Sequence, residues 1–296
     1  MPALGARGRP LVRILLCGRG GQLGWQLERH LAPQHELCAV DRLECDFSDP
    51  AALQRLVRAV RPQAIVNAAA WTDVEAAERD PPGAMRINAT APAVLAEEAK
   101  RGGALLVHYS TDYVFDGEKS SPYGEEDRPN PLNAYGRSKL EGERAILGSG
   151  ARALVLRTAW LYESRGRNFV RTILRLARER SELHVVRDQV GSPTAAREVA
   201  AATARLLARR DPPEGLYHLS AAGETSWHGF ACEILRRAGL GHVHVEPIAS
   251  AQYPSAVRRP RYSVLANERI ARAAAIRLAD WRAPLAQVLA ELAVAA

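Results

Sequence analysis

VRILLCGRGGQLGWQLERHL, residues 12–31, reads as an apolar strand, a glycine-rich turn and the opening of a helix. Gly18, Gly21 and Gly24 fall three apart directly after the first strand of the chain. A turn this tight needs glycine, and so does close approach of backbone to a pyrophosphate. The helix N-terminus beyond it offers amide donors and a partial positive charge. Gly18, Arg19, Gly21, Gln22, Leu23 and Gly24 are therefore candidate dinucleotide-binding residues; the alternative is a glycine-rich strand-to-helix turn that holds no ligand.

Further apolar runs follow at Glu36 to Asp41, Ala64 to Ala69, Ala104 to Tyr109 and Ala153 to Arg157. Stretches of helical periodicity lie between them, among them Gly24 to Leu31, Pro50 to Val60 and Ala84 to Lys100. Short continuous apolar strands alternating with helices predict a parallel sheet covered on both faces, the doubly wound Rossmann-type α/β fold. After Tyr162 the pattern loosens. Helices are expected over Phe169 to Arg180, Thr194 to Arg210 and Trp227 to Ala238, with short strands at His184 to Arg187, Gly215 to Ser220 and His242 to Pro247. The expected organisation is a dinucleotide-binding domain over 11–160, to which 188–220 returns. A smaller interleaved C-terminal substrate-binding lobe is formed by 161–187 and 221–296.

Two signals conflict at the end of the second strand. A carboxylate at Asp41 would accept hydrogen bonds from an adenosine ribose and favour NAD. Arg42, or Arg19 in the glycine loop, would meet a 2′-phosphate and favour NADP. The expectation is NADPH, with NADH as an alternative. Asp46-Phe47 would flank the adenine, unless Asp46 serves the N-terminus of the helix that begins near Pro50.

The strongest chemical signal is Tyr135-Gly-Arg-Ser-Lys139. Four residues apart on a helix, a phenol and an ammonium share a face. An ammonium beside it favours the phenolate, so Tyr135 is expected to exchange a proton with a carbonyl or carbinol oxygen near neutral pH. Lys139 is one of only three lysines, with Lys100 and Lys119, in a chain of 40 Lys and Arg residues. Arginine keeps its proton and does not replace lysine in this role. Asn133 precedes as a helix cap. The fourth strand runs into Ser110-Thr-Asp-Tyr-Val-Phe-Asp-Gly117, at the carboxyl edge where ligands bind in such sheets. Thr111 would offer its hydroxyl to a substrate carbonyl; the alternative is a turn built on local Ser, Thr and Asp hydrogen bonds.

The chain has 296 residues, 47% of them hydrophobic and 6% aromatic, and a formal net charge of +7. The arginines are scattered and interleaved with acids, as in 175–182, without a basic stripe carrying aromatics, so nucleic acid is not an expected partner. Cys17, Cys38, Cys45 and Cys232 form no CxxC pair and read as small buried hydrophobes in a reducing compartment. There is no apolar run of membrane-spanning length, and Met1 to Pro10 lacks a signal-peptide core and reads as a loose tail. A cytoplasmic location without membrane contact follows.

Taken together, these residues resemble the extended short-chain dehydrogenase/reductases, and more narrowly the dTDP-4-dehydrorhamnose reductase family. The match runs over nearly the whole chain. It is carried by CGRGGQLG (17–24), VNAAAWTDVEAAE (66–78), HYSTDYVFDG (108–117), PLNAYGRSKLEGE (131–143), LRTAWLY (156–162), DQVGSPT (188–194), GLYHLS (215–220) and RRPRYS (258–263). The resemblance implies NAD(P)H-dependent reduction of a nucleotide-linked 4-keto-6-deoxy sugar, with Thr111, Tyr135 and Lys139 as catalytic residues. It further implies that Asp112, Tyr113 and Trp160 contact the sugar nucleotide. Gly21, Gln22, Leu23, Asp46, Phe47, Ala68, Ala69, Ala70, Thr72, Tyr109, Tyr135 and Lys139 would line the cofactor. Trp160 has a second reading as a core tryptophan. Arg259, in the densest basic run of the second lobe, would meet the substrate diphosphate.

Some family members are magnesium-bridged dimers that use acids near the SPT helix and the C-terminus. Here Arg197 stands where one such acid is sought, with Glu198 beside it and Glu291 near the end. No metal ligand is assigned, and Mg2+ and a homodimer stay open. Competing readings are another nucleotide 4-keto-sugar reductase or epimerase, or a non-catalytic regulatory subunit on the same scaffold. A 4,6-dehydratase would want an acidic pair directly after the threonine, and here only Asp112 follows before Tyr113.

Overall fold

The computed structural model describes residues 12–255 and 257–294. The expected loose tail, Met1 to Pro10, and the first residue of the expected dinucleotide domain lie outside the described residues. Six strands form one parallel sheet: β1 (Arg13–Cys17), β2 (Glu36–Val40), β3 (Ala64–Asn67), β4 (Leu105–Thr111), β5 (Ala153–Thr158) and β6 (Gly215–His218), in the order β6-β5-β4-β3-β1-β2. Strand order reverses between β1 and β3, which opens a crevice at their carboxyl ends.

Alternation along each strand separates two cores. Leu16, Val66, Val107 and Leu156 face the helices α1 (Gln22–Leu31) and Ala196–Leu207. Leu15, Ile65, Leu106 and Val155 face Pro50–Val60 and Ala91–Gly102. Because both faces are covered, β3, β4 and β5 are buried along their whole length, which is why they read as unbroken apolar runs.

A third core holds Tyr162, Val170, Ile173, Phe230, Ile234, Trp281 and Leu285. It gathers Phe169–Glu179, Trp227–Arg237, Arg282–Val294 and the parallel strand pair Glu182–Val186 with His244–Ile248. Between these segments the chain re-enters the sheet unit: Ala196–Leu207 lies against α1, and β6 pairs with β5.

Three differences from the sequence reading bear on the site. β4 continues through Thr111 rather than ending at Tyr109. The helical run expected over 84–100 is interrupted: Pro81–Met85 passes through a π-turn at Arg86–Thr90 into Ala91–Gly102. Pro92 has no N–H to return to the preceding turn. The helices Val74–Arg79, Glu268–Ala274 and Arg282–Val294 were not anticipated, although Asp73 caps the first by accepting from Ala76 N at 2.8 Å.

Candidate active site

The glycine loop is built for close approach. Gly18 has φ +89°, and a Cβ there would sit 2.6 Å from Ala69 N; a Cβ on Gly24 would lie 1.9 Å from Gly18 O. At Gly21 such a Cβ would make only an ordinary contact, 3.4 Å from Gly18 O. Gly18 N and Arg19 N both donate to Val40 O, at 2.8 and 3.2 Å. The first turn of α1 carries no acidic residue and no side-chain cap, so its amides suit an anion. The loop therefore fits a pyrophosphate. Gln22 reaches Asn168 Nδ2 at 2.8 Å, while Leu23 is buried in the core. Ala68, Ala69, Ala70 and Thr72 follow β3 and face outward to differing degrees.

At the end of β2 the Asp41 carboxylate leans over this loop, its Oδ2 lying 3.8 Å from Arg19 Nε. The backbone N–H of Leu43 is the main cause holding the Asp41 carboxyl below its ordinary range, helped by Glu44 and Arg19. Glu44, unremarked in the sequence, pairs with Arg19. Arg42 is exposed. Asp46 makes a local turn with Ser48 N and Oγ, at 2.8 and 2.7 Å. The cap of the helix Pro50–Val60 is Asp49, which accepts from Ala51 N. Phe47 is buried against the second core.

The helix α2 (Ala134–Gly148) carries Tyr135 and Lys139. Its start is fixed twice: Asn133 accepts from Gly136 N at 2.9 Å, and Glu78 accepts from Ala134 N at 2.7 Å. Its flank presses on the π-turn, where a Cβ at Gly142 would lie 2.1 Å from Asn88 O. Buried Asn88 clamps Trp71 N and O, both at 2.9 Å, and donates to Ser138 Oγ at 2.9 Å. This ties the Ala68–Thr72 loop to the helix.

Tyr135 lies beside Thr111, whose hydroxyl favours its phenolate without offsetting burial, and meets the ring of Tyr113 edge-on at 5.7 Å. Thr111 also accepts from Tyr113 N at 3.1 Å, so the local turn and the contact with Tyr135 coexist. Lys139 Nζ, fully buried, donates to Tyr109 O at 2.6 Å and lies 3.2 Å from His108 Nε2. The phenol of Tyr109 turns to the other face of the sheet and meets Thr203 Oγ1 at 2.8 Å. Only its main chain reaches the site.

The expectation of a near-neutral Tyr135 is corrected. Burial pushes its phenol up to about 12, and Lys139 is not among the groups that shift it. Burial pulls the Lys139 ammonium down to about 8. Desolvation disfavours the charged form of each.

The loop 258–263 crosses this edge. Asn133 Nδ2 donates to Arg258 O at 2.9 Å. Ser263 Oγ donates to Asp112 Oδ2 at 2.6 Å, and burial pushes the Asp112 carboxyl up to about 6. Arg259 pairs with Glu75, lies near Tyr113 and donates to Ser255 Oγ at 2.9 Å. It also lines a cavity of about 340 Å³ with Phe169, Ile173, Leu183, Val185 and Trp227. Trp160, at φ +46°, lies flat on Trp227 with ring centroids 3.5 Å apart. Gly191 makes that placement fit, since a Cβ there would be 2.5 Å from the Trp160 ring. Trp227, Glu75 and Ser263 were not singled out in the sequence, because each gains its meaning from a partner far away in the chain.

Arg197 bonds both carboxylates near it, Glu163 and, at 2.7 Å, Glu291. A guanidinium already satisfies those acids, so they do not fit a shared cation site. Among the described residues no cluster of three or more His, Cys, Asp or Glu side chains would hold a metal, and no helix is long and apolar enough to cross a membrane.

A family model described as the RmlD substrate binding domain matches residues 12–294. A Burkholderia thailandensis protein named dTDP-4-dehydrorhamnose reductase is 46% identical over 285 residues, covering 92% of this chain and 96% of that one. The Escherichia coli K12 protein of the same name is 43% identical, covering 95% and 98%. A Bacillus anthracis dTDP-4-dehydrorhamnose reductase solved in complex with NADP superposes with a TM-score of 0.91 at 34% identity, covering 95% of this chain and 99% of that one. The glycine cradle, the Thr111, Tyr135 and Lys139 edge and this likeness along the full chain agree: the chain belongs to the dTDP-4-dehydrorhamnose reductase family, whose model is the RmlD substrate binding domain.

Proposed function

We infer that this chain reduces the C4 carbonyl of dTDP-4-dehydro-L-rhamnose to give dTDP-L-rhamnose, with NAD(P)H as reductant and NADPH preferred. A reduced nicotinamide supplies the hydride when bound. The observation that carries the reading is the juxtaposition of Thr111 and Tyr135 at the open end of β4, with Lys139 behind them and the glycine loop alongside. Thr111 orients the carbonyl. Tyr135, kept protonated by burial, gives its proton to the oxygen as negative charge develops there. The Lys139 ammonium stabilises the phenolate left behind. Arg259 meets the diphosphate, and Trp160 with Trp227 offers a flat apolar wall to the sugar or the base. Gly18, Gly21 and Gly24 admit the cofactor pyrophosphate, while Asp41, Arg42 and Arg19 form the adenosine end.

The regulatory-subunit reading is disfavoured by an intact proton donor and lysine. We place the reaction in the cytoplasm, with a homodimer as the assembly to be tested by sedimentation. The test of function is product analysis with dTDP-4-dehydro sugars and each reduced cofactor. The rhamno product with cofactor oxidation is expected; an epimerised keto sugar without oxidation would overturn the reading.

A further inference from the structure

Behind the catalytic lysine lies a buried polar chain that the reaction as described does not use. Asn67 ends β3, and His108 sits on β4 directly opposite it in the sheet register. Both are buried, at 2% and 0% exposure. Asn67 Oδ1 accepts from Ala69 N at 3.2 Å, Asn67 Nδ2 lies 3.1 Å from His108 Nδ1, and His108 Nε2 lies 3.2 Å from Lys139 Nζ.

The donors and acceptors along this chain follow from its one fixed end, the backbone N–H of Ala69. A backbone N–H only donates, so the Asn67 oxygen must face Ala69 and its NH2 must face the histidine. His108 Nδ1 is then an acceptor and bears no proton. Burial keeps the ring neutral, holding His108 well below its ordinary range, so its single proton is on Nε2. That N–H points at Lys139 Nζ. An ammonium has only donors to offer it, whereas a neutral amine has a lone pair that accepts from His108 while its own N–H donates to Tyr109 O.

We propose that Asn67 and His108 are positioning residues for the catalytic lysine: Asn67 sets the histidine tautomer, and the His108 Nε2–H makes the amine form of Lys139 the better-bonded one, loosening its hold on its proton. The inference rests on Lys139 serving the reaction. The other groups around the lysine are accounted for. On its own helix Glu143 draws toward the ammonium, but that carboxylate is shared with buried Arg157 from β5, at 2.6 Å. Tyr135, on the same helix, is kept neutral by burial, and Asp112 lies against Tyr135 and Thr111. From β4, among the described residues, His108 faces Lys139 with its ring and Tyr109 with its backbone carbonyl. The expected consequence is an alkaline limit on reduction: once Lys139 loses its proton, it no longer stabilises the phenolate that forms on Tyr135.

The direct test uses the scarcity of lysine. With 13Cε-labelled lysine the chain gives three resonances, and Lys139 is identified by its loss in Lys139→Arg. In the wild type it is expected to titrate below the ordinary range of a lysine. His108→Gln can turn a carbonyl toward the ammonium, and Asn67→Asp takes a proton from Nδ1 and so strips Nε2 of its own. Each should raise the Lys139 midpoint by about one unit and move the alkaline limb of kcat/KM by the same amount. Asn67→Asp added to His108→Gln should shift it little further, because no tautomer is left to switch. An unmoved midpoint in folded His108→Gln, or an equal Asn67→Asp shift in both backgrounds, overturns the proposal. Imidazole 15N shifts of the wild type test the tautomer without any variant, and a proton found on Nδ1 also overturns it. The titration needs no substrate, so its failure is distinguishable from failure of the functional reading.

Discussion

Replacing Tyr135 with phenylalanine removes one oxygen from a partly buried side chain and leaves its ring against Tyr113, at 5.7 Å. Burial pushes that phenol up to about 12, so at pH 7 only about one molecule in 10⁵ carries a phenolate. The hydroxyl is present as a donor throughout the working range, and the variant deletes the donor rather than shifting a titration. A positioned general acid contributes about 10²–10⁴ in rate, equivalent to about 2.7–5.4 kcal/mol of transition-state stabilisation. The folded state loses at most one neutral hydrogen bond, worth about 0.5–1.5 kcal/mol, partly offset because the hydroxyl no longer has to be desolvated. Turnover followed by nicotinamide absorbance at saturating sugar nucleotide should therefore fall by that factor. Cofactor affinity and the urea midpoint should change little. Near-normal turnover in a folded Tyr135→Phe would refute the assignment, as would an equal loss explained by weakened NADPH binding.

Three further substitutions probe the edges of the site. Arg259→Ala removes a charge-assisted contact worth about 1.5–3 kcal/mol, so the KM for sugar nucleotide should rise about 10- to 100-fold while that for NADPH stays put; a diphosphate-free sugar analogue should be indifferent. Arg42→Ala should impair NADPH more than NADH by about 1 kcal/mol or more, and equal loss in both kcat/KM values would remove Arg42 from the 2′-phosphate. Gly191→Ala drives a methyl to 2.5 Å from the Trp160 ring; disturbing the stack on Trp227 should raise the KM for sugar nucleotide and leave cofactor affinity intact, as measured by fluorescence titration.

Local pattern was enough for the sheet and the outline of the site. β1, β3 and β5 announce themselves as apolar runs because both of their faces are covered. The glycine spacing is a requirement of one turn, and the pairing of Tyr135 with Lys139 follows from helix periodicity alone. The same reasoning failed at Ala84 to Lys100, where a π-turn makes room for Asn88 to clamp a distant loop, and it did not foresee how far β4 carries Thr111.

What the sequence determined by itself, then, is the set of groups and the local geometry that short spacings impose: phenol and ammonium on one face, amides at a helix N-terminus, a threonine near the carboxyl edge of the fourth strand. What only the tertiary structure decided is how those groups behave. The protonation of Tyr135 and Lys139 depends on burial, which is a property of the whole packed core. Arg259 gains its partners Glu75 and Tyr113 from segments 184 and 146 positions away. Trp160 finds Trp227, and Asp112 finds Ser263, only when segments remote in the chain pack against the sheet edge. The physical reason is that periodicity encodes neighbours within a few residues, whereas desolvation and long-range pairing depend on which surfaces meet after folding.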